Sequence, residues 1–169
     1  MRALAALALA ISWGCGYHVA GHSDLMPASI RTICVPAFSN LTVRYRLTDH
    51  LPEAIAREFI TRTRYRIVPD PKQADAVLTG GVVNYLSYPT VFDPATGRAS
   101  TVQFQVTLNL KLTERATGKV LYSAPNLLMR NQYEISTNPR DYFEESDTAL
   151  DRLSREVARG VVSGILEHF

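Results

Sequence analysis

The feature that most constrains the fold is an unbroken alternation of apolar and polar residues over positions 102–112. The apolar members are Val102, Phe104, Val106, Leu108, Leu110 and Leu112, and each intervening residue is polar. Successive side chains of a β-strand point to opposite faces of a sheet. The pattern therefore predicts a long strand with one buried face and one polar face.

Two turns with matching chemistry flank this strand. Phe92–Arg98 precedes it and Glu114–Lys119 follows it, and each ends in Thr-Gly-basic, where glycine can adopt the positive φ of a hairpin turn. A strand over Ala74–Tyr85 and another over Val120–Met129 complete a three-stranded meander. Within the first of these, Gly80-Gly81 predicts a bulge or a close approach of another backbone segment.

Two segments show helical periodicity. From Leu47 onward, apolar residues recur every four positions, with Thr48 or Asp49 as the expected cap and Pro52 expected in the first turn. Near the end of the chain, Asn138-Pro139-Arg140-Asp141 predicts the start of a helix of about 25 residues, because proline suits the first helical position and acid the first turn.

Short strands are expected over Ile30–Val35 and Tyr65–Val68, each ended by proline. The predicted order is β-α-β-β-β-β-α. We therefore expect an α+β two-layer sandwich, in which two helices pack on one face of a mainly antiparallel sheet of four to five strands.

The N-terminus predicts an exported, lipid-anchored protein. Met1-Arg2 and the apolar run that follows are typical of a secretory leader, and as a helix this run would span only roughly 16 Å of the roughly 30 Å hydrocarbon layer. Gly14-Cys15 matches the cleavage site of bacterial lipoproteins, although Ser12 and Trp13 depart from the usual residues.

Cleavage at this site would make Cys15 the acylated N-terminus, and several acyl chains suffice for firm anchoring. Cys34 then has no disulfide partner and is expected to be a small buried apolar residue. The predicted organisation is a signal peptide over residues 1–14, a lipidated tether over 15–29 and one domain over 30–169.

Composition and motifs disfavour several functional classes. The formal net charge of +2 is too small for a protein whose main partner is a nucleic acid. The chain contains no nucleotide-binding glycine loop, no serine elbow and no cysteine-rich metal spacing. His18 and His22 stand four apart, but lack the glutamate of a zinc-protease helix. We therefore expect a non-enzymatic protein without a cofactor or a metal.

A binding role fits the residues better. The polar face of the alternating strand carries amides and threonines that can hydrogen-bond a partner or simply remain hydrated. Arg98, at the tip of a long hairpin loop, can contact a phosphate through its fork of donors. Solvation of a loop arginine remains the simpler alternative.

Several motifs together resemble the LptE family of lipopolysaccharide-assembly lipoproteins. They include the Cys15–His18 start, the Ile33–Asn40 strand and loop, the Ala74–Gly80 strand, the hairpin ending at Arg98, and Arg130–Tyr133 before the last helix. Their order and spacing extend the resemblance over nearly the whole mature chain.

The resemblance implies a lipoprotein of the Gram-negative outer membrane, anchored by its lipid (palmitate included) and facing the periplasm. Its implied partner is an LptD-like β-barrel, which the lipoprotein fills as a plug while assisting lipopolysaccharide assembly. Such a barrel has a polar interior, which suits a domain with a polar sheet face. Lipopolysaccharide-binding candidates carried over on this basis are Arg98, Arg130 and Arg140.

Part of the same pattern also resembles periplasmic regulatory lipoproteins. Those proteins share a strand, a Pro-Ala-Phe-Ser-Asn loop, a helix and a second strand, but they dock on a cell-wall synthase or assemble into a secretion oligomer. This alternative remains open at the level of sequence.

Overall fold

A computed structural model describes residues 26–134 and 145–169. The predicted leader, Cys15, most of the tether, and the proposed helix start at Asn138–Asp141 with Arg140 lie outside these residues. The elements in chain order are β1 (Thr32–Cys34), β2 (Ser39–Asn40), α1 (Leu47–Arg62), β3 (Arg66–Ile67), a 3-10 turn (Pro71–Gln73), β4 (Ala76–Phe92), β5 (Ala99–Glu114), β6 (Val120–Glu134) and α2 (Glu145–Glu167).

These elements form two layers, with both helices packed on one face of the sheet. One continuous core joins the inward residues of the sheet to the apolar faces of α1 and α2. Its most buried side chains include Ile33, Phe38, Phe59, Leu108 and Ile165. The predicted α+β two-layer fold is confirmed, and Cys34 is a buried free thiol as expected.

The sheet differs from the prediction in strand number and direction. It has six strands in the order β3-β1-β4-β5-β6, and the two-residue β2 also pairs with β4. The β4-β5 and β5-β6 pairs are antiparallel, whereas β1 runs parallel to β3 and β4, and β2 runs parallel to β4. The sheet is therefore mixed, because α1 returns the chain to the end at which β1 began. Two-residue strands such as β2 have no periodicity that sequence could show.

The start of α1 also differs from the prediction. The residue preceding the helix is Arg46, which makes no side-chain cap, and Pro52 lies inside the helix rather than in its first turn. A proline there leaves the carbonyl four residues earlier, that of Thr48, without a helical donor. The N–H of Phe38 donates to that carbonyl at 3.1 Å. The loop after β1 thus satisfies the acceptor that Pro52 cannot.

Gly80-Gly81 is a site of close approach, one of the two predicted possibilities. A Cβ at Gly80 would lie 2.5 Å from the ring of Phe38, and one at Gly81 would lie 2.5 Å from Ser39 Oγ. The bulge in β4 lies nearby, between Val82 and Asn84. The two glycines therefore allow the β1-β2 loop to pack directly against β4.

Within residues 26–134 and 145–169, neither helix combines the length and the apolar character needed to cross a bilayer.

Candidate functional site

The candidate site lies on the sheet face opposite the helices, which we call the outer face. Since Val102, Phe104 and Val106 point into the core, the residues between them on β5 point outward. Strand pairing places Leu86, Gln105 and Arg130 in one row across three strands. The predicted polar face is thus uncovered by either helix, and it includes one predicted site residue, Arg130.

The outer face also carries apolar side chains that the sequence did not predict. Leu86 is 49% exposed, Tyr88 40% and Leu128 44%. The bulge at Val83 explains the first two, because one extra residue exchanges the inward and outward positions of β4 beyond it. The strand predicted from sequence ended near Tyr85 and contained no bulge at Val83. Continuing its alternation would have placed the side chain of Leu86 in the core.

A hydrogen bond orders part of this surface. Gln105 Nε2 donates to Tyr88 Oη at 3.0 Å, linking β5 to β4 across the outer face. Gln103 and Gln132 lie side by side in the neighbouring row. Amides, a guanidinium and apolar groups therefore share one surface, which suits a ligand with both polar and hydrocarbon parts.

Arg98 lies at the far end of the sheet, in the loop between β4 and β5. Asp93 organises the loop: its carboxylate accepts the N–H groups of Ala95 at 2.7 Å and Thr96 at 3.0 Å. These bonds, that of Thr96 first, hold the pKa of Asp93 below its ordinary value, so the carboxylate stays charged. Gly97 supplies the positive φ of 66° that closes the turn before Arg98. The loop therefore presents an exposed cation on an ordered frame.

The structure does not bring Arg98 and Arg130 together. Arg130 pairs with Gln105, seven residues along the chain from Arg98, which corresponds to about 23 Å along an extended strand. The two cations cannot share one phosphate at that separation, although a large ligand can span both. Arg140, the third candidate, lies outside the described residues.

A shallow depression of about 440 Å³ on the outer face was also missed by sequence analysis. Its lining includes Gly81 on β4, Leu41 after β2, and Asn109, Lys111 and Ser123.

A second groove, of about 320 Å³, runs between β6 and α2. Its charged rim includes Arg159 and Glu156, whose side chains lie 2.9 Å apart and largely neutralise each other. Gly160 lets α2 approach the sheet closely at the groove, since a Cβ there would overlap Met129. Packing of the helix on the sheet edge thus explains this groove.

Across the part of the chain that the structure describes, no group of three or more His, Cys, Asp or Glu residues is arranged to hold a metal ion. His50 Nδ1 lies 3.0 Å from Asp151 Oδ1, a contact that joins the starts of α1 and α2. This pair has a structural role in the helical layer, away from the outer face.

Solved structures with a similar fold include lipoproteins. A PelC dodecamer from Paraburkholderia phytofirmans matches with a TM-score of 0.52 at 17% identity, covering 83% of this chain and 90% of that one. A putative lipoprotein from Caulobacter crescentus CB15 matches with a TM-score of 0.53 at 14% identity, covering 80% and 88%. These identities establish a shared fold alone.

A hypothetical protein from Chlamydia trachomatis gives a TM-score of 0.54 at 9% identity, covering 82% of this chain and 97% of that one. No curated protein sequence matches the chain.

Family comparison is more specific than these structural similarities. The family described as "LptE: Lipopolysaccharide-assembly" matches residues 30–165, which include every strand and nearly all of α2. The match covers the outer face, the Arg98 loop and both helices. The chain therefore belongs to the LptE family of lipopolysaccharide-assembly lipoproteins.

Proposed function

We propose that this protein is an outer-membrane lipoprotein, acylated at Cys15, that plugs an LptD-like β-barrel and assists lipopolysaccharide assembly from the periplasmic side. The observation that carries the proposal is the LptE family match over residues 30–165. That family is a non-enzymatic lipoprotein family of the cell envelope, so we propose a binding function without catalysis.

The outer face supports this proposal. Gln103, Gln105 and Thr107 on β5 carry neutral polar groups, which can hydrogen-bond the polar wall of a barrel without burying an unpaired charge. Leu86 and Leu128 add apolar contact area beside them. A surface of this kind is suited to a stable protein interface with few buried charges.

The two described arginines support lipopolysaccharide binding. A guanidinium is always charged and can donate two parallel hydrogen bonds to one phosphate. Arg98 presents this group on an ordered loop. Arg130 presents it on the outer face, in the same row as Leu86 and two residues along β6 from Leu128. Phosphate groups near Arg98 and hydrocarbon near Arg130 are both compatible with a large amphipathic ligand.

Affinity purification from detergent-solubilised envelopes tests the barrel partnership. The full chain with a C-terminal tag is expected to recover a large outer-membrane β-barrel, and mass spectrometry is expected to show acylated Cys15 at the new N-terminus. A Gln105→Glu variant places a charge at the centre of the outer face and should reduce barrel recovery at unchanged protein level. Recovery of a cell-wall synthase, or of a homo-oligomer without a barrel, would contradict the proposal.

The role of Arg98 is tested with a control that the chain itself supplies. Lys119 occupies the equivalent position in the Thr-Gly-basic loop at the other end of the sheet. Arg98→Ala should weaken lipopolysaccharide binding about tenfold, as expected for loss of one charge-assisted contact, whereas Lys119→Ala should leave it unchanged. Equal effects of the two substitutions would remove Arg98 from the site.

A further inference from the structure

The loop between β2 and α1 exposes three apolar side chains within five residues. Leu41 is 80% exposed, Val43 92% and Tyr45 74%. Single exposed apolar residues are common on protein surfaces, but a dense group of such exposed side chains on one loop is not. We call Leu41–Tyr45 the apolar loop.

The intervening polar residues of the apolar loop turn back toward the protein. The side chain of Asn40 accepts both the N–H and the hydroxyl of Thr42 at 2.8 Å, and it donates to the carbonyl of Arg44 at 2.8 Å. The guanidinium of Arg44 lies over the ring of Tyr85, 5.6 Å from its centroid. The loop thus differs from an ordinary hydrated loop, because the side chains of Asn40 and Thr42 are hydrogen-bonded within it while its apolar side chains face out.

The loop is also held in place. The N–H of Leu41 donates to the carbonyl of Val82 on β4 at 2.9 Å, and the N–H of Arg44 donates to Thr42 Oγ1 at 3.2 Å. Loops fixed in their binding conformation lose less conformational entropy when they meet a partner. The exposed apolar side chains are therefore preorganised for contact with an apolar medium.

Charge indicates which medium. Arg44 lies in the apolar loop and Arg46 directly follows it, and residues 41–48 contain no aspartate or glutamate. Apolar side chains at the tip and cations beside them are typical of segments that enter the interface of an anionic bilayer, because the cations meet headgroup phosphates while the apolar groups reach the acyl chains.

Chain length permits the contact. Met26, the first described residue, lies eleven positions after Cys15, and even a fully extended chain of that length reaches at most about 38 Å. A domain attached at Cys15 is therefore kept within reach of the membrane surface. This step rests on the acylation of Cys15 that the proposed function includes.

We propose that Leu41, Val43 and Tyr45 insert into the interfacial region of an anionic bilayer, as a second membrane contact besides the lipid at Cys15. The insertion fixes the orientation of the domain at the membrane. The occupant of this surface is the lipid surface and not a protein pocket.

The test uses the full acylated chain in vesicles of phosphatidylethanolamine and phosphatidylglycerol. Trp13 is the chain's single tryptophan, so a Trp13→Phe background lets Val43→Trp report on the loop alone, whether or not the leader is removed. Its emission should shift to the blue and be quenched by brominated acyl chains but not by aqueous iodide. Ile60→Trp is the matched control: Ile60 is 59% exposed and about 20 Å along α1 from its start, and its emission should remain iodide-sensitive.

Two further variants separate the contributions. Leu41→Ser with Tyr45→Ser should reduce bromolipid quenching of the Val43→Trp reporter several-fold, and Arg44→Gln with Arg46→Gln should remove the preference for anionic over neutral vesicles. Thermal unfolding checks that the serine pair leaves the fold intact, as expected for exposed side chains.

An iodide-sensitive Val43→Trp in anionic vesicles would overturn the proposal. So would shielding that occurs only after a purified barrel is added, since the loop would then dock on protein. Barrel recovery does not depend on this result, so failure of the membrane contact is distinguishable from failure of the proposed function.

Discussion

Two hairpin loops at opposite ends of the sheet have the same backbone hydrogen bonds but different contacts with the rest of the protein. In the distal loop, Asp93–Arg98, the N–H of Asp93 donates to the carbonyl of Arg98 and the N–H of Gly97 to that of Asp93. The basal loop, Glu114–Lys119, repeats both bonds at equivalent positions. Gly97 has φ 66° and Gly118 φ 71°. The same Thr-Gly-basic sequence thus produces the same turn twice.

Their surroundings differ sharply. Arg115 of the basal loop donates through its N–H to the carbonyl of Asp75 at 2.8 Å and through Nε to that of Ala74 at 2.7 Å, and Ser29 Oγ donates to Glu114 at 3.2 Å. Over the described residues, the hydrogen bonds of the distal loop stay within its own hairpin, beside exposed Val91 and Phe92. One loop stabilises the body of the protein, and the other presents a cation to the outside.

The largest expected effect comes from cutting the basal attachment at Asp75. Its carboxylate accepts the N–H groups of Arg31 and Thr32 and the hydroxyl of Thr32, each at 2.9 Å. Asp75→Ala leaves these donors unpaired next to the buried Thr32 and should lower the free energy of unfolding by about 2 kcal/mol. Urea denaturation measures the loss.

Asp93→Ala is the matched substitution at the distal loop. It also removes a carboxylate that accepts backbone N–H groups, but there the freed donors meet water. A smaller loss of stability than for Asp75→Ala is expected, and equal losses would show that the distal loop is as tightly coupled to the fold as the basal one.

Alanine substitutions at Gly97 and Gly118 compare the two loops at equivalent positions. A Cβ at Gly97 or Gly118 would contact nothing within 4 Å, so the cost of alanine is the cost of its positive φ, about 1 kcal/mol. Gly118→Ala should show this full cost in global unfolding, because the basal loop is fixed on several sides. Gly97→Ala should show less, because the distal loop can relax locally.

Amide hydrogen exchange distinguishes these responses. Faster exchange confined to residues 91–99 is expected for Gly97→Ala, whereas Gly118→Ala should accelerate exchange across the core. A global acceleration in both variants would contradict the distinction between the loops.

The smallest expected effect is on pH dependence. The N–H of Arg31, with the hydroxyl and N–H of Thr32 and the charge of Arg115, lowers the pKa of Asp75 against the opposing effect of burial. The native state therefore favours the ionised form, whose stabilising contribution is complete above the unfolded-state pKa near 4 and is lost as pH falls through the lowered native pKa.

Asp75→Asn should accordingly flatten the decline in stability below about pH 4 while lowering stability at neutral pH. Urea midpoints at a series of pH values for wild type and variant measure this. Parallel curves for the two proteins would mean that Asp75 does not titrate as its contacts require.

Periodicity explains which parts of the fold were predictable. The strand around Val102–Leu112 and the helix from Leu47 repeat their pattern over many residues, so local chemistry alone specifies them. The family resemblance was likewise visible in the order of motifs from Ile33 to Tyr133. The strand at Tyr65–Val68 was predicted, but its parallel direction was not, because direction is settled only when a strand pairs with a neighbour. Two-residue β2 was not predicted at all, because it is too short to show a periodic pattern.

The candidate site residues divide in the same way. The hairpin turn that presents Arg98 could be predicted because Asp, Thr and Gly specify it locally. Arg130 was identified through resemblance, but its row partners Leu86 and Gln105 depend on strand register. The bulge at Val83, which moves Leu86 and Tyr88 to the outer face, has no marker of its own in the sequence.

The sequence by itself determined the elements whose signals are local: the alternating strand, the two glycine turns and the apolar helical faces. Tertiary structure decided what depends on contacts distant in the chain. It placed the ring of Phe38 against Gly80, and the N–H of Phe38 on the carbonyl of Thr48. It also separated Arg98 from Arg130 and left the apolar loop exposed. Side-chain periodicity acts over a few residues, whereas register, bulges and loop packing are settled only when two distant segments compete for the same space.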